Sequence, residues 1–461
     1  MQIAIVGDGF SGTLFALKMA AAQPAAQVLL IGRERRIGRG LAYGAADPMH
    51  MLNVPVSRMD VGLKPSFLDW LHAEHGPDWT LESFAPRALF GDYMEMLAAK
   101  AVADGHIRRT RGEAVGMEAA PRPGVILADG RTISADLAIL ALGNLPPDRP
   151  GGLSEAITDS ALFVADPWAP GALDDLPPEA PVLLVGAGLT MIDIALRLAA
   201  RGHRGPMTAV SRRGLLPKGH QSGGAWPAFL HEHVGQAPLA VSRAIRRQVK
   251  LAQAASVPWQ RVFDAARPAV PAIWSAWPLT ERRRFLGRLR PWWDVHRHRT
   301  APEVTAGLQG LIENGRLEVV GGRFGKATVS ANQAKIEVGV GVGGETRTIA
   351  ATRIINCTGP GGRFDRTALP LIADLRAKGM AKADPLGLGL DTQDGAVIGA
   401  SGEVSERLYA LGPLAKAAWW EITAVPEITL QINDLVQRLA NGSTPIRPLS
   451  ASAFMDMGAG I

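Results

Sequence analysis

The sequence has one cysteine, Cys357, among its 461 residues. A disulfide within the chain is therefore excluded, and so is a reductase mechanism that uses two cysteines of one chain. Cys357 ends a strand-like apolar run, so we expect its thiol to be buried and unreactive.

Long hydrophobic runs are also absent, because no stretch reaches the roughly 18 uninterrupted apolar residues that a membrane-spanning helix needs. The amino terminus, MQIAIVGDGFSG, has no charged segment before its apolar run, and glycines interrupt that run too early for a signal peptide. We therefore expect a soluble, cytoplasmic protein that does not associate with a membrane.

The basic residues form no terminal tail, and no zinc-finger or RNA-binding signature accompanies the net charge of +6. We therefore expect no nucleic-acid partner, because an anionic cofactor or substrate accounts for a modest positive balance equally well. The length predicts two or more domains. A hydrophobic content of 47% is enough for large cores.

The first motif is a glycine-rich turn, GDGFSG, between an apolar strand pattern at residues 2–6 and a helical pattern. The first glycine permits a tight turn, the second admits a pyrophosphate, and the third lets the helix pack closely on the strand. The start of the helix then stabilises phosphate charge. The residues predicted to bind this dinucleotide are Gly7, Gly9, Phe10, Ser11 and Gly12.

The same pattern repeats at residues 181–203, where GAGLTM has Met191 in place of the third glycine. The next strand ends in Ser211, Arg212 and Arg213 without an acidic residue, which favours a 2′-phosphate and therefore NADPH over NADH. The alternative is that both arginines are solvated loop residues. The predicted ligands are Gly186, Gly188, Leu189, Thr190, Ser211, Arg212 and Arg213.

The strand after the first turn lacks the carboxylate that usually holds the adenosine ribose, about 20 residues beyond the glycines. The segment LLIGRERR has Gly32 where this carboxylate is expected. Either Glu34 takes its place, or Arg33 stacks on the adenine.

Two such units, the second inserted within the first, resemble the two-dinucleotide-binding-domain flavoproteins. DLAILALGN (136–144) and RIINCTGP (353–360) resemble the paired strands that return the chain past FAD in that superfamily. Six further segments resemble a bacterial family of FAD/NAD(P)-binding proteins over residues 1 to about 440. They are GRGLAYG (38–44), MLNVPVSRMD (51–60), SRRGLLPKGH (211–220), PWWDVHRHR (291–299), DPLGLGLD (384–391) and WEITAVPEI (420–428).

The resemblance implies an α/β fold of two Rossmann-like dinucleotide-binding domains. Residues 1–165 and 350–461 would form the FAD-binding domain, and residues 175–349 the NADPH-binding domain. The second domain includes a helical insertion rich in Trp and Arg at about 225–310. Its arginines are interspersed with acids and prolines and it has no long amphipathic helix, so we interpret it as a substrate lid between the domains and not as a membrane-surface patch.

The resemblance also suggests further cofactor contacts. Arg39 and Gly40 would lie along the FAD phosphates or the ribityl chain, and Asn53 near the flavin. Gly412 and Pro413 would approach the flavin before the last helix. Gly143 and Gly359, which end the paired strands, would face the cofactors.

Two histidine-containing segments have less specific patterns. In WWDVHRHR, either Asp294 pairs with an arginine while the Trp rings pack, or His296, Arg297 or Arg299 binds an anionic group. The spacings of His296 with His298, and of the HEH segment at 231–233, are poor for a metal, so we predict none and expect HEH to be a solvated turn.

The domain plan is similar to that of class B flavin monooxygenases and N-hydroxylases. It implies that NADPH reduces FAD and that a C4a-hydroperoxyflavin oxygenates a small molecule with a nucleophilic nitrogen or sulfur, with molecular oxygen as co-substrate. The alternatives are an NADPH-flavin reductase or dehydrogenase, a substrate oxidase, and a non-catalytic redox sensor. Catalytic residues are not assigned beyond the candidates Asn53, His296 and Arg299.

Overall fold

The computed structural model describes residues 1–44, 47, 49–119, 121–330, 332–340 and 344–441. The end of the predicted FAD-binding segment, from 442 to 461, lies outside the described residues. None of the helices within the described ranges is both long and apolar enough to cross a membrane.

The strands of the described residues are numbered in chain order. They are β1 (Gln2–Val6), β2 (Gln27–Gly32), β3 (Ile107–Arg111), β4 (Ala114–Glu118), β5 (Gly124–Leu127), β6 (Thr132–Ser134), β7 (Leu137–Leu140), β8 (Phe163–Val164), β9 (Val182–Val185), β10 (Met207–Ser211), β11 (Leu317–Val329), β12 (Ala334–Val340), β13 (Thr346–Ala351), β14 (Arg353–Asn356), β15 (Thr392–Gln393), β16 (Ala396–Ile398) and β17 (Val404–Ala410).

The α-helices of the same residues are numbered likewise. They are α1 (Phe10–Ala22), α2 (Gly40–Gly44), α3 (Phe67–His75), α4 (Arg87–Ala103), α5 (Glu155–Thr158), α6 (Leu189–Ala200), α7 (Pro238–Ala254), α8 (Trp259–Ala266), α9 (Val270–Ala276), α10 (Leu279–Arg284), α11 (Arg290–Arg297), α12 (Pro302–Glu313), α13 (Pro370–Ala377) and α14 (Val425–Ala440).

The first sheet has the strand order β15-β16-β17-β7-β1-β2-β3. Its centre is parallel, and β1 lies between β2 and β7. Ile3 and Ile5 of β1 are fully buried against helices on one face, and Ala4 and Val6 are buried on the other face against the small sheet and α13. The chain continues from β1 to β2 on one side and reaches β7 on the other, so the strand order reverses beside β1.

The second sheet repeats this plan with the order β13-β12-β11-β10-β9-β14-β8. Here β9 lies between β10 and β14, as β1 lies between β2 and β7. The predicted α/β fold with two Rossmann-like units is confirmed. A separate small sheet, β4-β5-β6, extends the first unit and was not predicted.

The strand in RIINCTGP is the main difference from the predicted boundaries, which place β8 and β14 in the first domain. In the structure β14 pairs with β9 and β8, so both strands belong to the second sheet. A short apolar run predicts a buried strand, but its pattern does not specify which of two similar sheets it joins.

The insertion predicted at about 225–310 is helical and contains α7 to α11, whereas α12 packs in the core of the second unit with β9 and α6. Its aromatic core includes Trp274, which stacks on Trp420 with ring centroids 4.7 Å apart. The indole nitrogen of Trp274 also donates a hydrogen bond to the carbonyl of Ala417, at 2.8 Å. The insertion is therefore anchored to the chain segment that precedes α14.

Close packing of α1 on β1 generates the first testable prediction. A Cβ atom at Gly12 would overlap the carbonyl oxygen of Gly7 and lie 3.2 Å from the Cβ of Ala141. We expect Gly12→Ala to lower the free energy of unfolding by about 1–3 kcal/mol, because the helix must move away from the strand. Urea unfolding followed by circular dichroism measures this effect.

Gly310→Ala is the matched control, because Gly310 lies in α12 and a Cβ atom there would meet nothing within 4 Å. Alanine in a helix should leave stability unchanged or raise it by about 0.4–1 kcal/mol. Equal stability of the two variants would contradict the packing role of Gly12.

Candidate functional site

The carboxyl ends of β2, β1, β7 and β17 meet at one edge of the first sheet. Backbone hydrogen bonds of 2.8–2.9 Å join Gly7 to Ile31, Ala141 to Val6, and Leu411 to Leu140 at this edge. The edge lies where the strand order reverses, which is where open α/β sheets bind ligands.

The first glycine turn lines this crevice with backbone. Gly7 has a φ of +111°, and a Cβ atom there would overlap the carbonyl oxygen of Ala141. A Cβ atom at Gly9 would lie 3.1 Å from the Cα of Gly40. Gly9 is also the N-cap of α1, which has no side-chain cap and no acidic residue in its first turn. The first amide groups of α1 are therefore left for an anion.

Gly412 and Pro413 lie beside the first turn of α1, in a short 3₁₀ helix at Gly412–Ala415. Gly412 has a φ of +68°, and a Cβ atom there would lie 3.0 Å from the Oγ of buried Ser11. The amide of Gly412 donates to the side-chain oxygen of Gln431 at 2.8 Å. The fold thus brings these sequence-distant candidates together.

The second crevice has the same geometry. Gly186 has a φ of +117°, and a Cβ atom there would lie 2.5 Å from the carbonyl oxygen of Cys357. Gly188 is the N-cap of α6, again without a side-chain cap. Leu189 and Thr190, also predicted ligands, form the first turn of that helix.

Cys357 corresponds in position to Ala141, because each lies against the first glycine of its unit. It is buried, as predicted, and burial raises the pKa of its thiol. The strand ends then turn at Gly143, with a φ of +70°, and at Gly359, with a φ of +86°. Gly359 follows β14 and therefore faces the second crevice, beside Gly186, instead of the first.

Ser211, Arg212 and Arg213 lie where β10 ends at the second crevice. The Oγ of Ser211 accepts a hydrogen bond from the amide of Gly214 at 3.1 Å and shapes this turn. Arg212 and Arg213 are exposed, and neither forms an ion pair with another described residue. Free guanidinium groups at this point are available to a 2′-phosphate.

Two charged residues predicted as ligands of the first crevice, Arg39 and Glu34, contact charged side chains of the protein instead. Arg39 is buried, and its guanidinium pairs with Asp92 and, at 2.7 Å, with Glu95, both on α4. This geometry does not favour a phosphate contact for Arg39. Glu34 is 58% exposed, and its carboxylate lies 3.4 Å from the guanidinium of Arg33.

Asn53 lies in the loop between α2 and α3 and joins the two units. Its carbonyl accepts a hydrogen bond from the Nε2 of His220, at 2.9 Å. Burial lowers the pKa of His220 to about 4, so this imidazole is neutral near pH 7. His220 was not predicted as a site residue, although it ends SRRGLLPKGH (211–220), one of the segments that carry the family resemblance.

A buried ion pair forms a second connection between the units. Arg87 at the start of α4 donates from Nη1 to the carboxylate of Asp193 on α6, at 2.8 Å. Both side chains are at most 15% exposed. The pair fixes α6, and with it the second glycine turn, against the first unit.

The segment WWDVHRHR is organised by structural contacts. Its Asp294 pairs with Arg290 at 3.1 Å, as one of the two interpretations predicts. His296 stacks on Phe263 with centroids 5.3 Å apart, and buried Arg299 pairs with Asp264. These contacts favour a structural role over a catalytic one. The short helix at Leu230–His233 contains HEH, and no cluster of potential metal ligands occurs among the described residues.

Arg297 is the centre of a buried network between the insertion and the start of α14. It lies 2.6 Å from the carboxylate of Glu421 and 3.0 Å from that of Glu427. Trp293 also donates to Glu421 at 2.7 Å. Burial alone would raise the pKa of Glu421, but the positive charge of Arg297 and the indole donor outweigh it and lower the pKa to about 2.

Comparison with known proteins agrees with this architecture. Residues 4–145 match a family described as FAD-NAD(P)-binding. No curated protein matches the sequence. A reduced ornithine hydroxylase from Pseudomonas aeruginosa is similar in structure, with a TM-score of 0.65 and 14% identity over 95% of this chain and 98% of that chain. The chain has the fold of the two-dinucleotide-binding-domain flavoproteins.

Two further solved structures share this flavoprotein fold over nearly their whole length. An ornithine N-hydroxylase from Kutzneria sp. 744, solved with reduced FAD, NADP⁺ and L-ornithine, has a TM-score of 0.64 and 14% identity, over 96% of this chain and 99% of that chain. An L-lysine 6-monooxygenase from Pseudomonas syringae has a TM-score of 0.64 and 16% identity, over 96% and 99%.

Both crevices have the features that a dinucleotide requires. In each, a helix begins without a side-chain cap, and a Cβ atom on the first glycine would collide with the end of a neighbouring strand. Main-chain atoms therefore line the crevice there. Each crevice therefore fits the pyrophosphate of a dinucleotide such as FAD or NADPH. The second crevice has, in addition, the two exposed arginines Arg212 and Arg213 beside it.

The low pKa of Glu421 predicts that stability falls in acid. A carboxyl whose folded-state pKa is lowered contributes stability above its unfolded-state pKa, near 4.5, and loses that contribution as the pH falls toward about 2. We expect Glu421→Gln to lower stability by about 3 kcal/mol at pH 7, because Arg297 loses a buried partner, and to remove this acid dependence.

Urea unfolding followed by Trp fluorescence measures the loss, because Trp293 contacts Glu421 directly. The control is Glu318→Gln, which breaks an exposed ion pair with Arg347 and should change stability by less than about 1 kcal/mol. If the free energy of unfolding of Glu421→Gln still declined between pH 4.5 and about 2 as much as that of the wild type, Glu421 would not be the source of this acid dependence.

Proposed function

We propose that the protein is an FAD-dependent, NADPH-consuming monooxygenase that acts on a small molecule with a nucleophilic nitrogen or sulfur. The observation that carries this proposal is the similarity to N-hydroxylating flavoproteins over 95–96% of the chain, which includes the helical insertion. Ornithine and lysine, the substrates in their names, carry a side-chain amine. A nitrogen substrate is therefore our first choice.

We infer a different cofactor for each crevice. FAD belongs in the first, where the amides of α1 and the backbone at Gly412 enclose it. NADPH belongs in the second, beside Arg212 and Arg213. When bound, the flavin supplies the chemistry that transfers an oxygen atom after NADPH has reduced it.

The chain's own residues provide binding, orientation and exclusion of water. The uncapped amides of α1 and α6 would hold the phosphates of the two dinucleotides. The Arg87–Asp193 pair and the bond from His220 to Asn53 fix one unit against the other. The aromatic insertion, anchored by Trp274, covers the segment before α14 and limits access of water to the site.

The single cysteine supports transfer of electrons to oxygen. The disulfide-reducing members of this superfamily use a cysteine pair, and Cys357 is alone and buried. Electrons on the flavin therefore have no dithiol acceptor within the chain. We therefore take molecular oxygen as the proposed acceptor, as in the N-hydroxylating monooxygenases to which the chain is similar in structure.

We expect the purified protein to be yellow and to consume oxygen and NADPH faster in the presence of a suitable amine, with formation of a hydroxylamine. A panel of ornithine, lysine, cadaverine, thioethers and ketones tests this, with product detection by mass spectrometry. Peroxide as the only product with every compound would indicate an oxidase or reductase. Flavin binding without NADPH turnover would indicate a sensor.

The exposed arginines predict the choice of nicotinamide cofactor. We expect the Arg212→Ala/Arg213→Ala variant to raise KM for NADPH by about 10- to 100-fold, because charge-assisted hydrogen bonds to the 2′-phosphate are lost. KM for NADH, which lacks this phosphate, should stay within about twofold.

Steady-state NADPH oxidation measures both values. Arg204→Ala is the matched control, because Arg204 is an exposed arginine of the same unit that pairs with Glu179 at 2.6 Å. An unchanged KM for NADPH in the double variant would mean that the arginines are solvated loop residues.

A further inference from the structure

The missing carboxylate at position 32 has a counterpart nearby. The side chain of Asp8, between the first two glycines of the motif, lies directly against Gly32. A Cβ atom built on Gly32 would overlap Cγ, Oδ1 and Oδ2 of Asp8. A carboxylate is therefore present at the end of β2, but it comes from the end of β1.

This carboxylate is held in place from β3. The Nη2 of Arg109 donates to Oδ2 of Asp8 at 2.6 Å and to the carbonyl of Glu34 at 2.6 Å, and its Nη1 donates to the carbonyl of Arg35 at 3.1 Å. Arg109 thus ties Asp8 to the loop that follows β2. Asp8 itself is only 4% exposed.

The second oxygen of Asp8 is available to a ligand. No hydrogen bond from a described residue reaches Oδ1, and this atom is not among the buried polar atoms that lack a partner, so it keeps some contact with solvent. A carboxylate oxygen has two lone pairs and can accept hydroxyl donors there.

We propose that the carboxylate of Asp8, held by Arg109, accepts the hydroxyl groups of the adenosine ribose of FAD, and that Gly32 is required because any side chain there would displace Asp8. This inference rests on the proposed function, because it assigns FAD to the first crevice. It replaces Glu34, whose exposed side chain pairs with Arg33. Asp8 is then a ligand, and Arg109 positions it.

The first test measures FAD affinity of the apoprotein by quenching of flavin fluorescence. We expect Asp8→Asn, which keeps the shape but removes the charge, to weaken FAD binding about 10- to 100-fold. Glu34→Gln is the control and should change it less than about twofold. Unchanged affinity in Asp8→Asn, or a larger loss in Glu34→Gln, would overturn the proposal.

A second measurement separates contact with the ribose from a structural role of the Asp8–Arg109 pair. FAD carrying 2′-deoxyadenosine or 3′-deoxyadenosine should bind the wild type more weakly than FAD does, for at least one of the two analogues. In Asp8→Asn that difference should vanish, because the acceptor is already lost. An equal difference in both proteins would show that Asp8 only supports the fold.

The third test moves the carboxylate back to β2. Gly32→Glu alone should weaken FAD binding or prevent folding, because the new side chain overlaps Asp8. Asp8→Gly/Gly32→Glu should restore folding and bring FAD affinity to within about tenfold of the wild type. If the double variant folds but binds FAD no better than Asp8→Asn does, a carboxylate at position 32 cannot replace the one at position 8, which would contradict the proposal.

These outcomes distinguish the inference from the proposed function. If the wild-type protein binds no FAD, the proposed function fails and the assignment of Asp8 fails with it. If the wild type binds FAD and Asp8→Asn binds it equally well, only the assignment of Asp8 fails.

Discussion

The contact between the first glycine of each motif and the end of a neighbouring strand determines the geometry of both crevices. At Gly7 and at Gly186 the backbone turns with a positive φ directly against another carbonyl group. Because no side chain separates them, the following helix begins at the sheet edge with its amide groups facing the crevice. The other candidate ligands, such as Gly412 and Arg213, are candidates because they lie beside one of these two turns.

The charges around the crevices divide into those already neutralised by the protein and those left for ligands. Arg39, Arg297 and Arg299 each have carboxylate partners within the fold. Arg212 and Arg213 have none among the described residues, although they lie next to a crevice. Buried pairs such as Arg87–Asp193 thereby hold the units together without presenting net charge to a bound dinucleotide, whereas exposed guanidinium groups discriminate between dinucleotides.

Local features of the site were predictable from the sequence, and distant partners were not. The glycine turns, the helical insertion and the burial of Cys357 follow from short patterns, because the residues that cause them are adjacent. Arg39 and Arg299 looked like ligands because their partners, Asp92 and Asp264, lie 53 and 35 residues away. The sheet of the strand at Arg353–Asn356 was also mispredicted, because its pairing partner β9 is distant in sequence. Asp8 was visible in GDG, but its approach to Gly32 required the pairing of β1 with β2.

The exchange between positions 8 and 32 has an evolutionary consequence. A side chain at position 32 and a carboxylate at position 8 exclude each other sterically, whereas small residues at both positions leave the adenosine ribose without an acceptor. Neither arrangement reaches the other by one favourable substitution, so the two positions should change together among homologous chains. A sequence search that scores each position independently counts a mismatch at position 8 and another at position 32. The proposed crevice nevertheless presents a carboxylate at the same place.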